Sequence, residues 1–100
     1  MEKIGTKPRT EALDLQFLIA MAQRMGYGSD EKGYVDFDWL DDDEKTAWAK
    51  RNGKILRHLA KADPRRGLST EERRAHLAAI ACNAMMLWGV IKEFEPEVTK

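Results

Sequence analysis

Ser69-Thr70-Glu71-Glu72-Arg73-Arg74-Ala75-His76-Leu77-Ala78-Ala79-Ile80-Ala81-Cys82-Asn83-Ala84-Met85-Met86-Leu87-Trp88 is the stretch whose reading decides the fold. It opens with a capping box: the Ser69 hydroxyl can accept a free amide of the first helical turn, while the Glu72 carboxylate reaches back to the Ser69 amide. Leu77, Ile80, Ala81, Ala84, Leu87, Trp88 and Ile91 then recur at steps of three and four, the period of a helix with one buried face. Glu95-Pro96-Glu97 stops the pattern. The expectation is a helix over about 70–94, followed by a frayed tail at 95–100.

Upstream, Asp63-Pro64-Arg65-Arg66-Gly67 is a breaker. A second helix is expected over about 43–61, with Trp48, Asn52, Ile55, Leu56 and Leu59 as its apolar stripe. Gly53 inside it costs about 1 kcal/mol relative to alanine, either to admit a closely packed helix or to no purpose. Residues 29–44 read as an acidic loop. In it Val35, Phe37 and Trp39 alternate with Asp36 and Asp38, but a lone short strand has no pairing partner. An ordered loop pinned by Phe37 and Trp39 is therefore expected, with Asp41 to Glu44 at the positive end of the second helix. The first helix is expected over about 11–25. Thr10 would cap it, Leu13, Phe17, Leu18, Ala20, Met21 and Met25 would form its apolar period, and Gly26-Tyr27-Gly28-Ser29 would stop it. Residues 1–9, with Pro8, form an extended lead.

Three helices in 100 residues make one all-α domain over 1–100, a small three- to four-helix bundle. Met85, Met86 and Trp88 spread around much of the last helix. Three helices of this length do not cover so broad a surface, so a homo-oligomer, a dimer or larger, is expected unless a fourth short helix or the loop lies over it.

The composition is that of a soluble globular chain, 43% apolar and 34% charged. No apolar run approaches the roughly 20 residues of a membrane span, no signal peptide is apparent, and the single cysteine, Cys82, cannot form an internal disulfide. On these features a cytoplasmic setting, away from membranes, is expected. The 17 basic and 17 acidic residues balance but are segregated: residues 45–74 hold ten Lys or Arg against Asp63, Glu71 and Glu72. Such a segment is either a solvated helix face balanced by the acidic loop or a surface for polyphosphate. Nucleic acid is disfavoured, because no recognition-helix motif accompanies the charge.

Both histidines, His58 and His76, fall in the last half of the chain. His76 and Asn83 are two helical turns apart on one face, and Glu72 lies four residues before His76. One helix can thus present carboxylate, imidazole and amide in a row, with His58, Arg57 and Lys54 on the helix before it. Carboxylate and imidazole suit a divalent metal; Arg and Lys suit phosphate. Each residue also has a plain structural reading: His58 can cap a helix end, His76 can bond Glu72, and Asn83 can satisfy a backbone group. No Gly-rich phosphate loop, zinc pattern or nucleophile–base spacing is present.

At these positions the chain resembles a phage and bacterial family of small all-α nucleotide hydrolases, the dATP/dGTP diphosphohydrolase type related to the MazG-like pyrophosphatases. The resemblance covers roughly residues 7–91. It is carried by Lys7-Pro8-Arg9, by Tyr27-Gly28-Ser29-Asp30 with Gly33, by Arg57-His58-Leu59, by Glu71 thirteen residues after that histidine, and by His76-Leu77-Ala78 and Cys82-Asn83-Ala84. It implies a MazG-like helical oligomer that binds a nucleoside triphosphate and, where active, uses Mg²⁺ or Mn²⁺ and water to release pyrophosphate. On this resemblance Glu71, Glu72 and His76 would hold metal, and Lys54, Arg57, His58 and Asn83 would face the nucleotide. The chain departs from the family at Gln16 and Gln23, where carboxylates are expected, and at Ala79, where a histidine is. An amide holds a hard cation much less well than a carboxylate. The departures leave two expectations open: a weak pyrophosphohydrolase, or a non-catalytic relative that sequesters a nucleotide or blocks a host protein, in the host cytoplasm if phage-encoded.

Overall fold

The computed structural model describes residues 8–32 and 38–93. They form three long helices, α1 (Leu15–Lys32), α2 (Glu44–Ala62) and α3 (Thr70–Glu93), with short 3-10 turns at Thr10–Ala12, Asp38–Asp41 and Pro64–Arg66. No strand occurs among the described residues. The protein is an all-α bundle in which α3 is central, packing along α2, against α1 and against the Asp38–Asp41 turn.

α3 begins as the capping box requires. The Glu72 amide donates to Ser69 Oγ at 3.0 Å, and the Ser69 amide donates to Glu72 Oε1 at 3.0 Å. α2 is capped by Asp43, whose Oδ1 accepts the Thr46 amide at 2.7 Å. Asp63 ends α2, and Gly67, at φ 80°, closes the following turn. That left-handed backbone is why glycine stands there.

The start and end of α1 differ from the expectation. Thr10 opens a separate 3-10 turn, and Leu13 is extended at ψ 146°. Asp14 is the residue that meets the free amides, accepting from Gln16 at 2.9 Å and Phe17 at 3.4 Å. At the other end the helix does not stop at Gly26; it continues to Lys32, so the acidic connection starts later than residue 29. Glycine weakens a helix by about 1 kcal/mol without forbidding it, and Arg24 lies over the Tyr27 ring at 5.5 Å one turn on. Phe37 and the 95–100 tail lie outside the described residues. Trp39 does pin the connection: it packs on the core cluster of Ala47, Leu87 and Val90 beside Ile55.

α2 and α3 run antiparallel in a readable register. Arg51 faces Asn83, His58 faces His76, and Ala62 faces Arg73. This register overturns the expected burial of α2. The face turned to α3 is Ala47, Arg51, His58 and Ala62, whereas Trp48, Leu56 and Leu59 are exposed. On α3 the buried residues are Ala78, Ala79, Cys82, Asn83, Leu87 and Val90, while Leu77, Trp88 and Ile91 of the expected face are exposed. Small residues let the helix axes approach, and large ones are turned outward. By length and composition alone Thr70–Ile91 would suffice to cross a membrane, contrary to the reading of the sequence. Here it is the packed central helix, hydrogen-bonded at mid-length to Arg51 through Asn83.

Candidate functional site

The seam between α2 and α3 is polar along most of its length. At one layer Arg51 Nη1 donates to Asn83 Oδ1 at 3.1 Å, and Asn83 Nδ2 donates to the Ala79 carbonyl at 2.8 Å. Asn83 is buried and both ends of its amide are satisfied. Two turns along, about 10 Å by helix geometry, His58 Nδ1 and His76 Nδ1 lie 2.9 Å apart with ring centroids at 5.1 Å. One ring must donate its hydrogen and the other accept it. At the end of the seam Arg73 Nε donates to the Ala62 carbonyl at 2.8 Å, satisfying a carbonyl at the C-terminus of α2.

α1 closes this seam from one side. The Cys82 thiol donates to the Met21 carbonyl at 3.3 Å. Burial pushes that thiol's pKa up, with the Arg24 charge pulling the other way. The same Arg24 acts on His58. The pKa of His58 is lowered first by burial, then by Arg24, His76, Lys61 and Arg57. Three helices therefore bring Arg24, Arg57, Lys61 and two imidazoles into one electrostatic neighbourhood. Among the described residues none of these three cations forms an ion pair, the pairs being Arg9–Glu11, Lys50–Asp42 and Arg65–Asp63. A basic cluster of this kind attracts an anion.

The structure distributes the candidate residues as follows. His58 and His76 meet directly. Asn83 lies in the neighbouring layer with Arg51. Lys54 is half-buried on α2, and Arg57 folds back along that helix, where its Nη1 would lie 3.1 Å from a Cβ at Gly53. Gly53 thus makes room for a guanidinium and not for another helix. Glu71 is exposed in the first turn of α3. Glu72 is also exposed, and the Ser69 cap holds its pKa low, aided by His76. Gln16 and Gln23 are exposed on α1, and Ala79 is buried.

Two residues of the seam, Arg24 and Arg51, were not singled out from the sequence. Each had a signal. Arg51 falls four residues from both Ala47 and Ile55, and Arg24 falls three after Met21, so each interrupts an inward helical stripe with a charge. A basic residue at such a position must find a partner or a ligand.

With this geometry in place, the comparison with known proteins is specific on one point. The family described as dATP/dGTP diphosphohydrolase, N-terminal, matches residues 1–99. No curated protein and no solved structure matches the chain.

Proposed function

The chain belongs to the dATP/dGTP diphosphohydrolase N-terminal family, and on that premise we propose that it is a nucleotide-handling domain that binds the phosphates of a purine deoxynucleoside triphosphate. The observation that carries this reading is the contact of His58 with His76 inside the basic neighbourhood of Arg24, Arg57 and Lys61. Guanidinium and ammonium groups make charge-assisted hydrogen bonds to phosphate oxygens. The hydrogen-bonded imidazole pair adds a directed donor beside them.

The family's name implies a reaction of the kind that divalent ions assist. The described donor set does not suit a hard ion: no group of three or more His, Cys, Asp or Glu residues is placed to share one. The two imidazoles that do meet stand among cations. Mg²⁺ and Mn²⁺ prefer several carboxylate oxygens, which the His58–His76 pair does not offer. This donor set supports the second of the two expectations: a non-catalytic relative that holds a nucleotide. Its role would then be to sequester the nucleotide or to present it to a partner.

Titration calorimetry of the purified chain with each deoxynucleoside triphosphate, with and without Mn²⁺, tests the reading, with pyrophosphate release measured in parallel. Purine triphosphates are expected to bind, with little pyrophosphate released. Absence of binding by all four would remove the proposal. Rapid metal-dependent release would remove its second half.

A further inference from the structure

Among the described residues, the exposed large aromatic side chains are Phe17, Tyr27, Trp48 and Trp88. One of them adjoins the basic seam. On α2 a helical wheel at 3.6 residues per turn sets Trp48 on the flank opposite Arg57 and Lys61. On α3 the same wheel turns Trp88 away from Cys82, the residue that meets α1. Phe17 lies about 10 Å along α1 from Arg24, on the side away from the histidines. Tyr27 differs from all three. The Arg24 guanidinium lies over its ring, 5.5 Å from the centroid, and the same guanidinium acts on both His58 and Cys82.

Helix rise brings Tyr27 to the level of the histidine pair. The Met21 carbonyl accepts from Cys82. Arg24, one turn further along α1, is felt by His58, which faces His76. α1 therefore advances toward the N-terminus of α3. Tyr27 is six residues past Met21, and His76 is six residues before Cys82. Both lie about 9 Å from the Met21–Cys82 contact, in the same direction. Tyr27 and Arg24 are three residues apart, neighbours on one flank of α1. The guanidinium backs the ring through a cation–π contact, and Tyr27 is still 45% exposed.

On the premise of the nucleotide reading above, we infer that Tyr27 is the platform on which the purine base stacks, while the phosphates lie against Arg24, Arg57 and the two histidines. Every base has a π face, and stacking on an aromatic ring needs no hydrogen-bond pattern. Arg24 holds the phenol ring from one side, so the ring meets the base already oriented. The base covers the ring's open face, and guanidinium, phenol and purine form a three-layer stack. Such a platform selects by area. Two fused rings make more contacts with the phenol than one, so adenine and guanine are both accepted and the pyrimidines are held less well. Arg24 then serves the ligand at both ends, fixing the ring beneath the base and meeting the phosphates.

Titration calorimetry with dATP, dTTP and inorganic tripolyphosphate is the test, on the wild-type chain, Tyr27→Ala, Tyr27→Phe and Trp48→Ala, with circular dichroism to follow helix content. Tripolyphosphate carries the charge without the base. Tyr27→Ala should weaken dATP binding about tenfold, leave tripolyphosphate affinity unchanged and narrow the preference for dATP over dTTP. Tyr27→Phe keeps the ring and should bind as the wild-type chain does. Trp48→Ala, on the other flank, should change nothing. Unchanged dATP affinity in Tyr27→Ala, an equal loss for dATP and tripolyphosphate, or a loss in Tyr27→Phe as large as in Tyr27→Ala overturns the inference and leaves the phosphate reading standing. A wild-type chain that binds neither dATP nor tripolyphosphate overturns that reading, and this inference with it.

Discussion

The indole of Trp39 fills the space beside Gly89. A Cβ built at Gly89 would lie 2.7 Å from Cζ3 and 3.0 Å from Cη2 of that ring. The glycine in α3 is therefore a socket, and through it the connection before α2 is fastened to the core. Gly89→Ala should lower stability by about 1–3 kcal/mol through overpacking, although helix propensity alone would give a gain of about 1 kcal/mol. Gly26 supplies the control. Nothing lies within 4 Å of a Cβ there, so Gly26→Ala should stabilise by up to about 1 kcal/mol. Chemical denaturation of the two variants should show opposite signs; two gains would mean that Trp39 does not sit against Gly89.

The Ser69–Glu72 box separates a structural from a functional role for Glu72. Ser69→Ala should cost about 1 kcal/mol in thermal or chemical unfolding. Glu72→Gln keeps an acceptor for the Ser69 amide and should leave stability nearly unchanged. If Glu72 also touches a metal or nucleotide, Glu72→Gln will reduce nucleotide binding at unchanged melting temperature. If binding is equally unchanged, Glu72 acts only as a cap.

The His58–His76 contact makes stability depend on pH. The folded protein binds the His58 proton more weakly than the unfolded chain, through burial and the charges of Arg24, His76, Lys61 and Arg57. A depressed imidazole pKa costs nothing above the ordinary value near about 6.5. Below it, protons favour the unfolded chain, so stability falls as pH drops through that value and levels off below the folded-state pKa. Denaturation at about pH 7.5 and about pH 5.5 should show a loss in the wild-type chain that is smaller in His58→Gln. An equal loss in both would assign the pH dependence to other groups.

Nucleotide affinity should respond to the basic groups as a set. Arg24→Ala, Arg57→Ala and His76→Ala are each expected to weaken purine triphosphate binding by about tenfold, the effect of one charge-assisted hydrogen bond or a little less. The loss on raising salt should be shallower in the arginine variants than in the wild-type chain. Arg51→Lys serves as the contrast. It removes a planar donor from the buried Asn83 layer, so its effect should appear in stability before it appears in affinity. Affinity that ignores all three alanine substitutions would move the phosphate site elsewhere.

Much of the architecture was legible in advance because its signals are local. The capping box at Ser69, the Asp-Pro breaker at 63–64 and the three-four periodicity of 70–91 each act within a few residues. They gave α2 and α3 to within a residue or two. The ends of α1 were misread for the same reason: Thr10 and Gly26 carry local preferences worth about a kilocalorie, and the Asp14 cap and the continuing helical ladder prevailed. His58 and His76 were legible as site candidates because they are the chain's two histidines, and Arg24 was not, because its neighbours lie on other helices.

Local signals in the chain settle that it is helical, where α2 begins and ends, where α3 begins, and which polar residues lie within reach of one another along each helix. Those outcomes follow from backbone hydrogen bonds and capping, whose range is one turn. Which face of α2 meets α3 is a matter of packing between helices. Hydrophobicity pointed to Trp48, Leu56 and Leu59, yet the helices approach through Ala47, Arg51, His58 and Ala62. Close packing of two axes selects small residues and pairs the polar ones across the seam, and it leaves the bulky apolar stripe outward. Burial depends on the whole set of surfaces that meet, and a single helix does not carry that information.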